Sequence, residues 1–104
     1  MTAYFIVRAQ VVDATVKDEF DRWYQNEHLP YALKAFGARR AWRGWSGVDP
    51  SVHYAWYEFD SLAQAQAIQG SAALTGLVAE FDRAWGDKVT RSRDFAEVVQ
   101  AIAA

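Results

Sequence analysis

The chain contains no cysteine, which excludes disulfides, thiolate catalysis and sulfur ligands for a metal. Only two histidines are present, and this scarcity argues against a structural zinc site. Basic residues are not in excess, with 11 Lys and Arg against 13 Asp and Glu, so the chain lacks the positive charge that nucleic acid attracts. No apolar run approaches the length of a membrane span or a secretion signal. We therefore expect a cytoplasmic protein with neither a membrane nor a nucleic-acid partner.

Aromatic side chains, in contrast, are abundant. They make up 15% of the 104 residues and include five Trp and five Tyr. Such side chains often line ligand pockets or subunit contacts, although the core of a small domain would use them too. The length allows one domain with one core, which we place at residues 1–104.

The order of secondary structure follows from residue types and turn signals. Runs of β-branched and aromatic residues predict strands, and apolar residues at helical spacing predict helices. The predicted strands cover residues 3–12, 38–46, 52–59 and 88–100, and the predicted helices cover residues 15–28, 31–36, 61–68 and 71–86. The end of the chain has two interpretations, because residues 95–104 could continue the last strand or form a terminal helix.

This β-α-β-β-α-β order predicts the ferredoxin-like α+β fold, a four-stranded antiparallel sheet with two helices on one face. The third strand carries bulky residues on both faces, since Tyr57 and Phe59 alternate with Trp56 and Glu58. The face that the helices leave uncovered therefore needs a partner. The simplest partner is a second copy of the chain, so we predict a homodimer through the open sheet face.

The stretch most informative about function is FDRWYQNEHLPYALKAFG, residues 20–37. At about 100° per residue, one face of this helix would carry an apolar stripe interrupted by Glu27, with His28 on its flank. The stripe consists of Val16, Phe20, Trp23, Tyr24, Glu27 and Tyr31. Pro30 is expected to force Leu29 out of the helical conformation and to begin a new short helical turn. His28 would then lie at a kink.

The longer stretch FDRWYQNEHLPYALKAFGARRAWR resembles the EthD-like proteins of the dimeric α/β barrel superfamily. Their pattern is an aromatic helix, a W-Y-x-x-x-H-x-P corner, a glycine and then an Arg-bearing strand. The matching positions here are Trp23, Tyr24, His28, Pro30, Gly37, Arg39 and Arg40. The resemblance implies a dimer with a ligand pocket in each subunit between the sheet and its helices. It also implies a choice of functions, because cofactor-independent monooxygenases, polyketide cyclases, lactone isomerases and haem enzymes share the scaffold.

His28 is the first candidate for catalysis, because imidazole titrates near neutral pH and the kink could aim it into a cleft. Alternatively, His28 caps the first helix by binding backbone carbonyls. Glu27 could orient that imidazole, or act as a base if an apolar wall raises its pKa. Alternatively, Glu27 turns outward into solvent where the helix ends before Pro30.

Candidate ligand-binding residues come from the first helix and from the strands. Trp23, Tyr24 and Tyr31 would form an aromatic wall, with phenol hydroxyls as donors, although Trp23 also suits the core. Guanidinium groups between the sheet and the helices would bind a carboxylate, phenolate or enolate. The candidates on the strands are Arg8, Arg39 or Arg40, His53, and Arg91 or Arg93. The alternative is that these arginines pair at the rim with carboxylates such as Glu58.

Motifs for cofactors are absent, since the sequence has no G-x-G-x-x-G, no Walker loop and no G-x-S-x-G. A metal centre built from His28, His53 and Glu27 has no supporting spacing, and neither histidine lies in a haem-binding pattern. We therefore expect neither a metal nor a cofactor.

Two functions remain open. The first is a cofactor-free monooxygenase, cyclase or isomerase that acts on an aromatic or polyketide-like carbonyl compound by proton transfer through His28. It predicts a closed pocket of drug-like size with His28 inside. The second is a non-catalytic homodimer that binds a small hydrophobic molecule or assists another enzyme. It predicts a collapsed or shallow cavity.

Overall fold

A computed structural model describes all residues, 1–104, and contains four strands and four α-helices. The strands are β1 (Ala3–Val11), β2 (Arg40–Trp45), β3 (Val52–Phe59) and β4 (Val89–Glu97). The helices are α1 (Lys17–Trp23), α2 (Leu29–Phe36), α3 (Leu62–Gln66) and α4 (Ala72–Trp85). Short turns of 3₁₀ helix flank α1 and α4 at Ala14–Val16 and Gly86–Lys88, and a π-turn at Tyr24–His28 joins α1 to α2.

The four strands form one antiparallel sheet in the order β2-β3-β1-β4. Phe5 of β1 lies opposite Tyr57 of β3 and Phe95 of β4, so three aromatic rings stack side by side on the face that the helices cover. Alternation along β1 buries Val7 on that face and sends Arg8 to the other, because successive side chains of a strand point to opposite faces. The ferredoxin-like α+β fold predicted from the sequence is confirmed.

The end of the chain forms part of the sheet. β4 pairs with β1 from Val89 to Glu97, and residues 98–104 contain no helix. The terminal-helix interpretation is therefore wrong. The nine residues of β1 give the backbone of β4 a complete ladder of partners, and this pairing holds residues 95–97 in the strand. The seven residues that follow are too few to form a stable helix by themselves.

The corner before Pro30 is not a break in the helix. Leu29 has helical dihedral angles, φ −64° and ψ −47°, and its N–H bonds to the carbonyl of Tyr24 five residues earlier. The expectation that Pro30 forces Leu29 out of the helix is therefore wrong. Proline inside an α-helix lacks a donor and its ring clashes with the carbonyl four residues before it. The wider π-turn contains one extra residue at this point, and the chain stays helical from α1 into α2.

The extra residue changes which side chains face the sheet. Up to the first residue of the π-turn the predicted stripe holds, since Phe20 and Tyr24 are buried. From the end of the π-turn onward it is shifted by one residue, because Glu27 and Tyr31 are exposed while their neighbours His28 and Ala32 point inward. The prediction that Glu27 interrupts the apolar stripe is therefore wrong by one residue. The outward alternative for Glu27 is right, but its cause is the π-turn and not an early helix end.

Helix α4 lies on the same face of the sheet as α1 and α2 and covers the rest of the core. The turn before it uses Gly70 at φ +72°, a left-handed conformation that favours glycine. Ser71 begins the helix, because its hydroxyl accepts a hydrogen bond from the backbone N–H of Leu74 at 3.1 Å. Leu77 and Phe81 then repeat at helical spacing and are buried against the sheet. None of the helices has both the length and the apolar character needed to cross a membrane.

Candidate functional site

A small cavity lies between the sheet and the helices. Its volume is about 30 Å³, and apolar side chains dominate its lining. The lining residues are Phe5, Val7, Tyr24, His28, Phe36, Tyr57, Leu74, Leu77, Val78, Phe81, Arg91 and Arg93. Polar groups enter it from three elements: the imidazole of His28 and the phenol of Tyr24 from the π-turn, the phenol of Tyr57 from β3, and two guanidinium groups from β4.

His28 reaches the cavity because the π-turn points it inward. Its ring stacks on Trp23 with a centroid distance of 4.5 Å and meets the edge of Tyr24 at 4.8 Å. Burial, together with a smaller effect of the Arg91 charge, lowers the pKa of His28 to about 4. The imidazole makes no capping hydrogen bond. At neutral pH His28 is therefore an uncharged imidazole that can accept a proton.

Two buried phenols face each other beside His28. Burial raises the pKa of Tyr24 to about 12, and its hydroxyl interacts with that of Tyr57. The pKa of Tyr57 is also raised well above its usual value, first by burial and then by the charge that Tyr24 would carry on ionising. Both phenols therefore stay protonated and are available as hydrogen-bond donors.

Arg91 supplies positive charge to the cavity. Its side chain is only 12% exposed, and its guanidinium carbon lies 4.0 Å from the centre of the Phe81 ring. Its single carboxylate partner is Asp82 of α4, at 3.1 Å. Burial lowers the pKa of Arg91, although a guanidinium stays charged at neutral pH in any case. Arg93, two residues further along the same face of β4, lines the cavity from an exposed position.

His53 lies next to the cavity but does not line it. The ring is buried, 1% exposed, and packs on Tyr24 with a centroid distance of 4.4 Å. Nε2 of His53 is 3.1 Å from Nη1 of Arg43, which also donates to Asp21 at 2.9 Å. Burial and the charge of Arg43 lower the pKa of His53 to about 4. This group holds α1 against the sheet behind Tyr24.

Three of the residues predicted to form the site lie outside the cavity: Glu27 and Tyr31 are exposed, and Trp23 is partly buried against the core. Trp23, Glu27 and Tyr31 line a surface groove between the π-turn and α4, together with Glu80. Tyr31 is 63% exposed. His28 borders both this outer groove and the inner cavity, as Leu77 of α4 does. Of the predicted aromatic wall, only Tyr24 lines the cavity itself.

Arg8 and Arg40 lie on the opposite face of the sheet from the cavity. Arg8 is exposed on β1, and Arg40 pairs with Glu58 at 3.1 Å. Arg39 also binds Glu58, at 2.8 Å, so the rim-pairing alternative is right for these two arginines. Placing Arg8 and Arg40 between sheet and helices was wrong, because strand alternation sends both side chains to the open face.

Several cavity residues were not predicted. Tyr57, Phe36 and the apolar face of α4 are not among the candidates predicted from the sequence, and the choice between Arg91 and Arg93 stays open there. A signal for part of this set was present in the sequence. Five residues recur at intervals of four and all lie on the inner side of the helix: Phe20, Tyr24, His28, Ala32 and Phe36. A regular α-helix cannot keep that spacing on one face, so the repeat itself indicates a widened turn.

The chain has no group of three His, Cys, Asp or Glu side chains arranged as metal ligands. No family model matches the sequence, and no curated protein matches it. Solved structures do match the fold over nearly the whole chain.

The similar structures include a protein of the ethyl tert-butyl ether D (EthD) family from Bacillus halodurans. It is 17% identical, with a TM-score of 0.72 over 95% of this chain and 100% of that one. HapK from Hahella chejuensis is 18% identical, with a TM-score of 0.69 over 98% of both chains. SnoaB, a cofactor-independent oxygenase from Streptomyces nogalater, is 13% identical, with a TM-score of 0.70 over 99% of this chain and 98% of that one. The chain therefore shares its fold with these proteins, which agrees with the resemblance of the W-Y-x-x-x-H-x-P stretch to EthD-like proteins.

Proposed function

We propose that this protein is a cofactor-independent enzyme that removes a proton from an aromatic or polyketide-like carbonyl compound. His28 is the base. The observation that carries the proposal is an uncharged imidazole in the wall of an apolar cavity, close enough to the buried Arg91 for that charge to lower its pKa. The likeness to a cofactor-independent oxygenase supports the same class of chemistry.

The proton-transfer step uses groups that converge on the cavity. A ring nitrogen of His28 takes a proton from a carbon next to the substrate carbonyl. The electron pair of the broken C–H bond forms a C=C bond to the carbonyl carbon, and a bonding pair of the C=O group moves onto the oxygen. The product is an enolate beside a protonated imidazole. Since the pKa of His28 is about 4 in the empty cavity, the negative charge of the enolate is needed to raise it, and this couples proton transfer to formation of the anion.

The enolate oxygen requires donors that are already in place. The hydroxyls of Tyr24 and Tyr57 and the guanidinium of Arg91 are the candidates. Tyr57 and Arg91 lie on strands and Tyr24 is fully buried at the start of the π-turn, so all three need little reorganisation when charge develops in an environment of low polarity. The apolar lining from α4 would bind the aromatic body of the substrate.

The same proposal includes a homodimer. The open face of the sheet carries Trp42, 38% exposed, together with the half-buried rings of Tyr4, Tyr54 and Trp56. A stable interface buries roughly 800 Å² per subunit, and these rings are the apolar part of the surface available to it. A second copy would cover it about a two-fold axis.

A second candidate function is ligand binding without catalysis. The observation in its favour is the volume of the cavity, about 30 Å³, because ligand pockets for drug-sized molecules are roughly ten times larger or more. A protein that binds only a small apolar molecule would need no larger space. The catalytic proposal requires α4 and the π-turn to separate when substrate enters.

Deuterium uptake distinguishes the two functions without requiring the natural substrate. A panel of aromatic ketones and β-dicarbonyl compounds is incubated with the protein in D₂O, and exchange at the carbon next to the carbonyl is followed by NMR. We expect exchange faster than in buffer, and a roughly 100-fold loss of that excess in His28→Ala. Glu27→Gln, which alters an exposed neighbour of the same turn, tests whether Glu27 contributes. Ligand-induced shifts at cavity residues without any excess exchange would favour the non-catalytic function.

A further inference from the structure

Arg91 and Asp82 form an ion pair that crosses the boundary of the cavity. We propose that Asp82 is a specificity-determining residue: it neutralises Arg91 while the cavity is empty and is displaced by an anionic ligand with an apolar body. The inference rests on the proposed ligand-binding function of the cavity and names the charge of the ligand that this site selects.

The two partners differ in their surroundings. The Arg91 side chain is 12% exposed and lines the cavity, whereas that of Asp82 is 64% exposed and does not line it. The pair is joined by one contact, from Nη2 of Arg91 to Oδ1 of Asp82 at 3.1 Å. A single-contact pair with such an exposed carboxylate is weak, and rotation of Asp82 into water costs little. The guanidinium, held over the Phe81 ring at 4.0 Å, would stay in place.

The charges around the cavity favour an anion. Arg91 and Arg93 both line it, and Arg93 takes part in none of the five ion pairs of the chain. The other ionisable groups in the lining are His28, Tyr24 and Tyr57, and all three are uncharged at neutral pH. The cavity lining therefore contains two cations, Arg91 and Arg93, and the one carboxylate that pairs with either of them, Asp82, lies outside the cavity. The excess positive charge lies in an apolar lining, where a ligand carboxylate, phenolate or enolate would bind most strongly.

Asp82 therefore competes with the ligand. It stabilises the buried guanidinium in the empty protein, and it lowers affinity for anions because its contact with Arg91 must be broken when they bind. A neutral ligand of the same shape would leave the ion pair intact. The residue thus affects charge selectivity and not affinity in general.

Benzoate and benzamide are suitable probes, because they share one shape and differ in charge. Binding of each is measured by NMR titration on the wild type, Asp82→Asn, Arg91→Gln and Glu80→Gln, at fixed ionic strength and pH 7. Glu80→Gln is the matched control, since Glu80 is an exposed carboxylate of the same helix that forms no ion pair. We expect Asp82→Asn to bind benzoate about two- to five-fold more tightly, with benzamide unchanged. Arg91→Gln should lose benzoate affinity roughly ten-fold.

The outcomes separate this inference from the proposed function. Cavity shifts with benzoate in the wild type, but no tighter binding in Asp82→Asn, would contradict the role of Asp82 alone. An equal gain in Glu80→Gln would also overturn it, since the effect would then come from net charge and not from the Arg91 contact. If neither probe shifted any cavity resonance, both the anion selectivity and the ligand-binding function of the cavity would be wrong.

Discussion

Nη1 of Arg43 donates a hydrogen bond to Nε2 of His53 across 3.1 Å. A guanidinium has no acceptor, so Nε2 must carry the lone pair and the single ring proton must lie on Nδ1. Arg43 is itself fixed by the carboxylate of Asp21, which accepts from both of its terminal nitrogens at 2.9 Å. The interaction therefore sets the tautomer of His53 and keeps it uncharged, leaving His28 as the imidazole available to a ligand.

Replacing Arg43 with Met should release this constraint. The charge of Arg43 helps to lower the pKa of His53, so we expect that pKa to rise in the variant and both tautomers to become populated. The loss of hydrogen bonds to Asp21 should cost about 1–3 kcal/mol of unfolding free energy. Nitrogen-15 shifts of the two ring nitrogens report the tautomer directly. Arg22→Met, a neighbouring exposed arginine without an ion pair, is the control. A protonated Nε2 in the wild type would contradict the assignment.

Stability should fall as the pH drops from about 6.5 to 4. Folding lowers the pKa of both His28 and His53 from 6.5 to about 4, so the unfolded chain binds more protons than the native protein in this window. The stabilisation is present above pH 6.5 and is lost as the pH approaches 4. It amounts to roughly 3 kcal/mol per histidine. Chemical denaturation at a series of pH values measures the slope, and His53→Gln should remove about half of it.

The buried carboxylate of Glu58 affects stability at lower pH than the histidines do. Glu58 is 2% exposed and accepts hydrogen bonds from Arg39, Arg40 and Tyr4, which lower its pKa to about 2. Its contribution is present above pH 4.5 and is lost as the pH falls towards 2. Any loss of stability between pH 6.5 and 5 therefore comes from the histidines. A flat profile in that interval would show that the two imidazoles are not buried as the structure places them.

Most of the fold could be predicted because the residues within each helix or strand, and the turn residues beside it, indicate its type. The strand from Val52 to Phe59 was predicted residue for residue, since alternating aromatic residues follow a turn marked by Gly47 and Pro50. Gly70 and Ser71 likewise marked the start of α4. These signals come from residues close together in the sequence, and the tertiary contacts favour the same secondary structure.

The site was harder to predict because it depends on geometry that residue types do not specify. The buried face of a helix is assigned at 100° per residue, and one extra residue in a turn shifts that face by one position along the sequence. Here the shift places His28 and Ala32 on the inner face, where the regular pattern predicts Glu27 and Tyr31. Arg91, and not Arg93, is the buried arginine because α4 packs over that part of β4 and provides Phe81 and Asp82 as its contacts. Neither fact follows from composition or from spacing within one element.

Deleting Asn26 should convert the π-turn into an ordinary α-helical turn. Tyr24, His28, Ala32 and Phe36 would then be spaced by three, four and four residues, which keeps them on one face of a regular helix. Because Pro30 would clash with the carbonyl four residues before it in a regular turn, the deletion is made together with Pro30→Ala. We expect that variant to fold with an unfolding free energy within about 1 kcal/mol of the wild type. The distance and angle between the rings of His28 and Tyr24, now 4.8 Å between centroids, should change. The pKa of His28 should change with them, and NMR titration measures it.

A deletion in α4 provides the contrast. Removing the exposed Ala79 would rotate Phe81 and Trp85 away from the sheet by about 100°, because α4 has no extra residue to lose. That variant should be severely destabilised or fail to fold. Equal destabilisation by the two deletions would show that the π-turn is not an insertion into an otherwise regular helix.

The last prediction concerns the open face of the sheet. Trp56 lies near its centre, opposite Trp42 of β2 and Ile6 of β1. If a second copy covers this face, Trp56→Glu places a charge from each subunit in an apolar contact, and burial of unpaired carboxylates costs several kcal/mol. We expect the wild type to sediment as a dimer at micromolar concentration and Trp56→Glu as a folded monomer. Tyr31→Glu adds the same charge at an exposed aromatic residue on the helical side and should remain dimeric. A monomeric wild type, or dissociation by both substitutions alike, would mean that the open face is not the interface.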